Sequence, residues 1–379
     1  MLSDLLYLDY NASTPVHPNV LEKMLPWFSG YFANAASSSH LAGRLSAEAL
    51  EIAREQVASS IRAEPAEIIF TSGATESLNL AIQGLWEAFK TRKDKILAIT
   101  TEHLAVMDVL TNLNSKGLHT EFISVDGEGR VDMDILKAKL NDSVLAVCVM
   151  AANNETGRLL PVAEMAKLAH DAGAFVICDA TQTAGKVPFD VESSGADLVA
   201  LSAHKVYGPK GIGALYMRRR NPRVKLLPLT FGGGHEKGLR PGTPAVPLII
   251  GMGEALKTAH HDLNKRIEHM LNLRTLAEQL LMQDERVMIN ASGSDRLPNT
   301  TNFRIEGARA SEIFSKLPNL ACSSGSACSS ALPKPSHVLL AMGLSESQAF
   351  ASIRISTGIS TRAEEIEHAI RLILGITNR

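Results

Sequence analysis

Short apolar runs alternate with segments of helical periodicity in the first half of this sequence. The runs that we predict to be strands cover residues 67–70, 95–99, 144–150, 174–178 and 198–203. Helical spacing, or matched start and stop residues, predicts helices at 46–61, 76–89, 104–114 and 161–173. Strands that alternate with helices form parallel β-α units, so the pattern predicts an α/β fold with a mostly parallel sheet.

The periodicity changes after residue 248. A helical tract then reaches about residue 282, and short strand-like runs at 287–290, 301–305 and 353–356 precede a last helix. This mixture predicts a smaller α+β domain beside the large one, as a chain of 379 residues allows. We expect the large domain to cover residues 15–260, and the small domain to combine residues 1–14 with residues 261–379.

Polar side chains follow the predicted strands, at or just beyond the point where each strand ends. In open α/β sheets, ligands bind in the crevice beyond the carboxyl ends of the strands, so we expect these residues to share one site. Any one of them has a purely structural explanation, and their shared placement is what carries the prediction. The residues are Thr75, His103, Asn154, Asp179, Gln182, Ser202, His204 and Lys205.

Lys205 stands where the apolar run 198–203 turns into the sequence VYGPKGIG. A lysine whose amine faces a crevice is the usual nucleophile for a covalent link to pyridoxal phosphate (PLP). Asp179 ends a separate strand, and a carboxylate there suits the group that keeps the pyridine nitrogen of PLP protonated. On these residues alone, a surface lysine and a helix-capping aspartate remain open as alternatives.

A strand, a glycine-containing loop and a helix start follow one another in TSGATES, residues 71–77. Free backbone amides at such a helix start bind phosphate groups, and Ala74 and Thr75 occupy that position. The segment lacks the glycine patterns of nucleotide-binding loops, so a plain helix cap remains an open alternative.

The four cysteines form no disulfide framework, and no Cys/His spacing resembles a metal site. Cys148 and Cys178 lie in apolar runs and are interpreted as core residues. Cys322 and Cys328 lie in the small, polar stretch LACSSGSACSSALPKP, where Cys328 has few bulky neighbours to bury it. Cys322 follows the apolar residues Leu320 and Ala321, so we expect it to pack at the base of the loop, and a relay of sulfur through it is left open. Accessibility is one condition for a reactive cysteine and a lowered pKa is the other, so a spare surface thiol remains an alternative for Cys328.

Charge and hydropathy argue against nucleic acid and membrane partners. The chain has 38 Lys and Arg against 40 Asp and Glu, and its densest basic patch, 218–225, is broken by Asn221 and Pro222 as in a solvated turn. The longest apolar run, 144–152, is far shorter than the ~18 residues of a membrane span. The first ten residues contain no basic residue of the kind that begins a signal peptide, so we expect a cytoplasmic protein.

Motifs along nearly the whole chain resemble those of the cysteine desulfurases of the NifS/IscS-like group, which are fold type I PLP enzymes. The SSGSAC stretch distinguishes this group from the desulfurases related to selenocysteine lyase. The motifs are LDYNASTPV, TSGATESLNLAI, TEHLAV, NNETG, DATQTAGK, SAHKVYGPKGIGALY, GGGHEKGLRPGT, SSGSACSSA and SIRISTG.

The resemblance implies a role for each candidate residue. Lys205 would bind PLP covalently, Asp179 would contact its pyridine nitrogen, and His103 would stack on its ring and assist proton transfer. Cys328 would take the sulfur from L-cysteine as a persulfide and pass it to an acceptor protein. Gln182 and Asn154 would contact the ring oxygen and the substrate region. The phosphate would be held by Ala74, Thr75, Ser202 and His204, and by Thr243 from the second subunit of a homodimer. The substrate carboxylate would be bound by Arg354 with Asn34.

The sequence departs from the group at a few positions. The GNPAS segment of the group is ANAAS here, Leu104 replaces a common lysine, and Cys322 is an additional thiol. Housekeeping members carry a C-terminal extension that docks an iron-sulfur scaffold, whereas this sequence stops soon after the last helix. We therefore leave open whether the sulfur acceptor serves iron-sulfur assembly, tRNA thiolation or DNA phosphorothioation. Another fold type I PLP enzyme, such as a selenocysteine lyase or a class V aminotransferase, is the alternative function, and a scaffold protein without turnover is the alternative outside enzymes.

Overall fold

The computed structural model describes residues 5–293, 295–324 and 334–377. Cys328, the predicted nucleophile, lies outside these residues. The strands are β1 (Leu6–Tyr7), β2 (Ile68–Thr71), β3 (Lys95–Ile99), β4 (His119–Ile123), β5 (Val144–Met150), β6 (Phe175–Asp179), β7 (Leu198–Ser202), β8 (Gly213–Met217), β9 (Val287–Ile289), β10 (Thr300–Ile305), β11 (Leu320–Ala321) and β12 (Ser352–Ser356). The helices are α1 (Pro18–Met24), α2 (Pro26–Ser29), α3 (Leu41–Ser60), α4 (Ala74–Phe89), α5 (Leu104–Asn114), α6 (Met133–Lys139), α7 (Val162–Asp171), α8 (Val191–Ser194), α9 (Val246–His261), α10 (Leu263–Leu281), α11 (Ala310–Lys316), α12 (His337–Ala341), α13 (Glu346–Phe350) and α14 (Ala363–Thr377).

A seven-stranded sheet with the order β2-β8-β7-β6-β5-β3-β4 carries the large part of the described chain. Strands β4, β3, β5, β6 and β7 pair in parallel, as the alternation of strands and helices predicts. Strand β8 is antiparallel to both β7 and β2, so β2 points in the same direction as the parallel strands. The carboxyl ends of β2, β3, β5, β6 and β7 therefore meet at one edge of the sheet.

The sheet is covered on both faces, because successive residues of its strands point to opposite sides. In β3, Leu97 and Ile99 belong to one buried cluster with residues of α3, α7 and α9. Ile96 and Ala98 belong to a second cluster, with residues of α4 and α5. This three-layer packing, with strands buried on both sides, is the arrangement expected of parallel sheets.

A second, three-stranded antiparallel sheet with the order β12-β10-β9 lies in the last third of the chain. Its apolar residues pack with those of α10 and α14 in a third buried cluster, which Leu8 from the N-terminal segment joins. The short parallel pair β1-β11 is a separate sheet, and an isolated bridge between Asp9 and Ser356 joins the N-terminal segment to β12. The mixture of strands and helices agrees with the predicted α+β character, and the division at residues 14/15 and 260/261 stays a prediction.

Two details of the predicted helices are wrong. We predicted that the helix containing Ala53 and Val57 starts near Ser46, but α3 starts five residues earlier, because the His40 side chain accepts a hydrogen bond from Gly43 N at 3.1 Å and caps it there. The predicted helical tract from residue 248 is two helices, since α9 ends at His261 and α10 begins at Leu263.

No helix in the described part of the chain is both long enough and apolar enough to cross a membrane.

Candidate active site

Lys205 follows β7 at the end of a 3₁₀ turn that covers residues 203–205. Its amine donates hydrogen bonds to two backbone carbonyls of the N-terminal segment, Asn11 O at 2.6 Å and Ala12 O at 2.8 Å. The side chain therefore lies between the carboxyl end of the large sheet and the segment that leads from the small one. This placement agrees with a crevice lysine rather than a solubilising surface charge.

Asp179 ends strand β6, and His103 follows strand β3 at the start of α5. Asp179 is 8% exposed and accepts a hydrogen bond from Thr181 N at 2.9 Å. His103 caps α5, and its Nδ1 accepts from Ala105 N at 3.1 Å, so the ring proton is assigned to Nε2. Burial lowers the pKa of His103, while the negative charge of Asp179 raises it and the positive charge of Lys205 lowers it. Both charges thus act on this ring, as expected for one shared site.

Gln182 and Asn154 contact the same N-terminal residue as Lys205. Gln182 is buried, and its Nε2 donates to Asn11 O at 3.0 Å. The Asn154 carbonyl accepts from Asn11 Nδ2 at 3.2 Å and from Arg354 Nη1 at 2.9 Å. Four of the predicted site residues are thereby linked around Asn11.

Arg354 lies in β12 and is 4% exposed. It forms an ion pair with Asp9 in addition to its bond to Asn154. The Asn34 side chain, by contrast, accepts a hydrogen bond from Ala36 N within its own exposed turn at 2.9 Å. A joint carboxylate site of Arg354 and Asn34 stays a prediction.

The start of α4 has the properties of a phosphate site. Gly73 precedes Ala74 and provides no side-chain cap, so the first amides of this 16-residue helix are available to an anion. The loop approaches β8 so closely that a Cβ on Gly213 would lie 2.6 Å from Gly73 Cα. Thr75 is exposed in the first turn, and Ser202 is buried at the end of β7.

His204 and Thr243 complete the predicted phosphate ligands. Burial, together with the positive charges of Lys205, Lys210 and Lys186, lowers the pKa of His204 to about 4, so its ring is neutral at pH 7. Its Nδ1 lies 3.3 Å from Ser13 Oγ. Thr243 is exposed.

With this geometry in view, comparison with known proteins identifies the family. Residues 6–368 match the family model described as Aminotransferase class-V. A cysteine desulfurase IscS of Anaeromyxobacter sp. (strain Fw109-5) is 44% identical over 97% of this chain and 91% of its own length. The chain belongs to the cysteine desulfurases of the class-V aminotransferase family.

Solved structures agree with this assignment. A NifS-like protein superimposes with a TM-score of 0.92 at 34% identity, and the match covers 99% of each chain. The structure of SspA in complex with cysteine gives a TM-score of 0.82 at 35% identity, over 93% of this chain and 98% of SspA. The predicted fold class, a PLP-dependent transferase of fold type I, is confirmed.

Enzymes of this family depend on PLP, and the residues present here suit that cofactor. The free amides of α4 and the close packing of Gly73 on Gly213 form a cradle for a phosphate. Asp179, Gln182 and Lys205 are the residues that would hold the rest of the cofactor, through a carboxylate, an amide and an amine. The phosphate cradle and these three side chains lie at the same edge of the sheet, so one cofactor could contact all of them.

The sequence reasoning missed three buried site residues. Asn11 is linked to Lys205, Gln182 and Asn154, and Lys186 donates to Gln182. Glu102 is fully buried beside His103, and burial, reinforced by the charge of Asp179, raises its pKa to about 8. Two signals were visible: Lys186 stands four residues after Gln182 in the motif DATQTAGK, and Asn11 lies in the motif LDYNASTPV.

Cys322 lies within the described residues. It packs against the third apolar cluster, and burial, reinforced by Asp9 and opposed by Arg354, raises the pKa of its thiol to about 12. A thiol with this pKa stays protonated at pH 7 and is a poor nucleophile.

Proposed function

We propose that this protein is a PLP-dependent cysteine desulfurase that acts on L-cysteine and releases L-alanine. The observation that carries the proposal is the meeting of Lys205, Asp179 and His103 at one sheet edge, with the guanidinium of Arg354 linked to the same site through Asn154. The similarity to SspA, whose structure is described as a complex with cysteine, supports the choice of substrate.

The cofactor, when bound, withdraws electrons from the α-carbon of the substrate and so makes its proton removable. Asp179 would maintain that capacity by holding a proton on the pyridine nitrogen. Lys205, as a free amine, would take the α-proton, and neutral His103, with a proton on Nε2, would assist the proton transfer. Arg354 would fix the substrate carboxylate, and with it the orientation of the thiol.

We assign the sulfur transfer to Cys328, and this assignment rests on the SSGSAC motif alone. Its thiolate would attack the sulfur of the bound cysteine, so that a sulfur–sulfur bond forms and the carbon–sulfur bond breaks. The carbon side keeps the electron pair and gains a proton, which yields alanine, and Cys328 becomes a persulfide. An acceptor thiol then removes the outer sulfur. The acceptor, in iron-sulfur assembly, tRNA thiolation or DNA phosphorothioation, stays open.

The test is to incubate the purified protein with L-cysteine and a reducing thiol, and to measure alanine and sulfide in the same sample. We expect equal amounts of the two products. An aminotransferase would form a keto acid instead of alanine, and a selenocysteine lyase would turn over selenocysteine far faster than cysteine. A scaffold protein would bind PLP and form neither product.

We further propose that the protein is a homodimer with shared sites. Large apolar side chains are exposed in two stretches of the sequence, at 21–41 and 227–231, and they include Phe32 at 78% and Phe231 at 87% exposure. Exposed apolar side chains of this size and number are typical of protein interfaces. Thr243 follows the second stretch by 12 residues and is exposed. It would reach the phosphate of the cofactor in the other subunit. A cytoplasmic location is also a proposal, which fractionation of the producing cells would test.

The shared site makes a specific prediction about mixed dimers. A Lys205→Ala subunit and a Thr243→Val subunit should each have low activity, but a dimer of both contains one site with an intact lysine and an intact threonine. We expect that site to recover up to about half of the activity of a wild-type dimer, measured as sulfide release after subunit exchange. Proven exchange without recovery would contradict the shared site, and Thr243→Ser subunits serve as the control that keeps the hydroxyl.

A further inference from the structure

Lys186 is a buried lysine whose contacts are both with carboxamides. It is 5% exposed, and its Nζ donates to Gln182 Oε1 at 2.5 Å and to Asn11 Oδ1 at 3.0 Å. Both partners are uncharged, so neither contact is an ion pair of the kind that usually accompanies a buried lysine. The cost of burying this amine points to a use beyond packing.

An amine fixes the direction in which a carboxamide points. The two ends of an amide have the same shape, but an amine that donates hydrogen bonds attracts the oxygen and leaves the nitrogen on the far side. In Gln182 the oxygen faces Lys186, and the nitrogen faces Asn11 O at 3.0 Å. Lys205 donates to the same carbonyl at 2.6 Å, so Gln182 Nε2 is presented beside the catalytic amine.

The Gln182 nitrogen carries two hydrogens, and the bond to Asn11 uses one of them. The second is suited to an acceptor in the crevice, which is where the ring oxygen of PLP would lie according to the function proposed above. The Asn11 carbonyl also holds the Gln182 nitrogen, but without Lys186 the amide oxygen loses its donor, and the amide could rotate and present its oxygen there instead. Two oxygen acceptors would then face each other, and the contact would be lost.

The arrangement does not depend on the charge of Lys186. Burial lowers the pKa of Lys186 well below its ordinary value, and the positive charges of Lys205 and Arg354 lower it further. A neutral amine still has two N–H bonds, which are enough for both of its contacts. The orientation of Gln182 therefore holds in either protonation state of Lys186.

We infer that Lys186 is a positioning residue, which holds the Gln182 amide with its nitrogen toward the ring oxygen of PLP. This inference rests on the proposed function through the contact between Gln182 and the cofactor. Lys186 itself does not touch the reacting atoms.

The test uses the pH titration of the visible absorption band of the holoenzyme. A donor at the ring oxygen favours the anionic form of that oxygen, so its loss raises the midpoint of the titration. We expect Gln182→Ala to raise the midpoint by about 1 pH unit, and Lys186→Met to raise it by a similar or smaller amount. In the double variant, Lys186→Met should add less than about 0.3 pH unit, because its effect passes through Gln182.

Two further variants separate positioning from stability. Lys186→Arg keeps N–H donors. Its midpoint should therefore return at least half of the way from the Lys186→Met value to the wild-type value. Lys93→Met is the matched control, since Lys93 also donates to two oxygens, Val144 O at 3.0 Å and Gly173 O at 2.7 Å, but lies away from the site. It should lower the melting temperature without moving the midpoint. If Lys186→Met proves too unstable to purify, an Arg variant with the wild-type midpoint supports the inference, and an Arg variant with a midpoint as high as that of Gln182→Ala contradicts it.

A full shift from Lys186→Met in the Gln182→Ala background would overturn the inference, because Lys186 would then act directly on the cofactor. An unchanged midpoint in Lys186→Met would overturn it as well. Both outcomes are distinct from failure of the proposed function, since that failure would appear in the wild-type protein as an absence of alanine and sulfide.

Discussion

Replacement of Lys205 by alanine is expected to abolish the covalent link to PLP and to reduce sulfide release by at least about 10³-fold. The reason is that one amine both binds the cofactor and accepts the α-proton, and its geometry is set by Asn11 O at 2.6 Å and Ala12 O at 2.8 Å. The measurement is borohydride reduction followed by peptide mass spectrometry. Wild-type protein should carry the reduced cofactor on the peptide that contains Lys205.

Lys210 provides the control for this experiment. It lies five residues further along the same loop and is exposed, so Lys210→Ala should retain the link and most of the activity. Lys186 is the other amine near the site, and its buried contacts with Gln182 and Asn11 hold it away from a covalent role. A reduced cofactor on Lys186 or Lys210 in wild-type protein would show that the assignment of Lys205 is wrong.

Replacement of Cys328 by serine is expected to leave PLP binding intact and to reduce sulfide release by about 10²-fold or more, because the sulfur then lacks its nucleophile. Cys322→Ser should retain activity within about twofold. With a pKa of about 12, roughly one Cys322 thiol in 10⁵ is ionised at pH 7, so this residue contributes little thiolate. Each variant replaces a single sulfur atom of the wild-type protein with oxygen, so the two variants are well matched.

Mass spectrometry of the enzyme after brief treatment with L-cysteine tests the same assignment directly. The wild-type protein should gain one sulfur on the peptide that contains Cys328. If an extra sulfur formed on Cys322 at the wild-type rate in the Cys328→Ser variant, Cys322 would be the nucleophile and the assignment from the SSGSAC motif would fail.

The part of the site that lies on the large sheet could be predicted because it depends on local patterns. Strands 95–99 and 144–150 were predicted with the bounds that the structure gives them, and each residue that follows a parallel strand reaches the same edge. His103, Asp179 and Lys205 are therefore brought together by topology alone. The antiparallel direction of β8 was not predicted, because a short apolar strand has the same sequence pattern in either direction.

The contacts that reach the site from outside the large sheet could not be predicted. Asp9 pairs with Arg354 across 345 residues. Asn11 contacts Gln182 across 171 residues and Lys186 across 175 residues. A sequence pattern reports the period and the ends of an element, but not which distant segment packs against it. The resemblance to a known family added the role of Arg354, whereas Lys186 lay unnoticed inside the motif DATQTAGK, since a single buried lysine produces no periodicity.

The position of Asn11 also bears on how the enzyme matures during synthesis. Its backbone nitrogen donates to Ser356 Oγ across 345 residues, and its side chain accepts from Asn299 Nδ2 at 3.0 Å. The ribosome adds residues at about 5–20 per second, so roughly 20–70 s pass between the emergence of Asn11 and that of Ser356. The large sheet can assemble in that interval, while the segment that holds Lys205 waits for the last strand. Stable loading with PLP is thus expected only after residue 356 has been synthesised, and chains that stall before it should remain colourless.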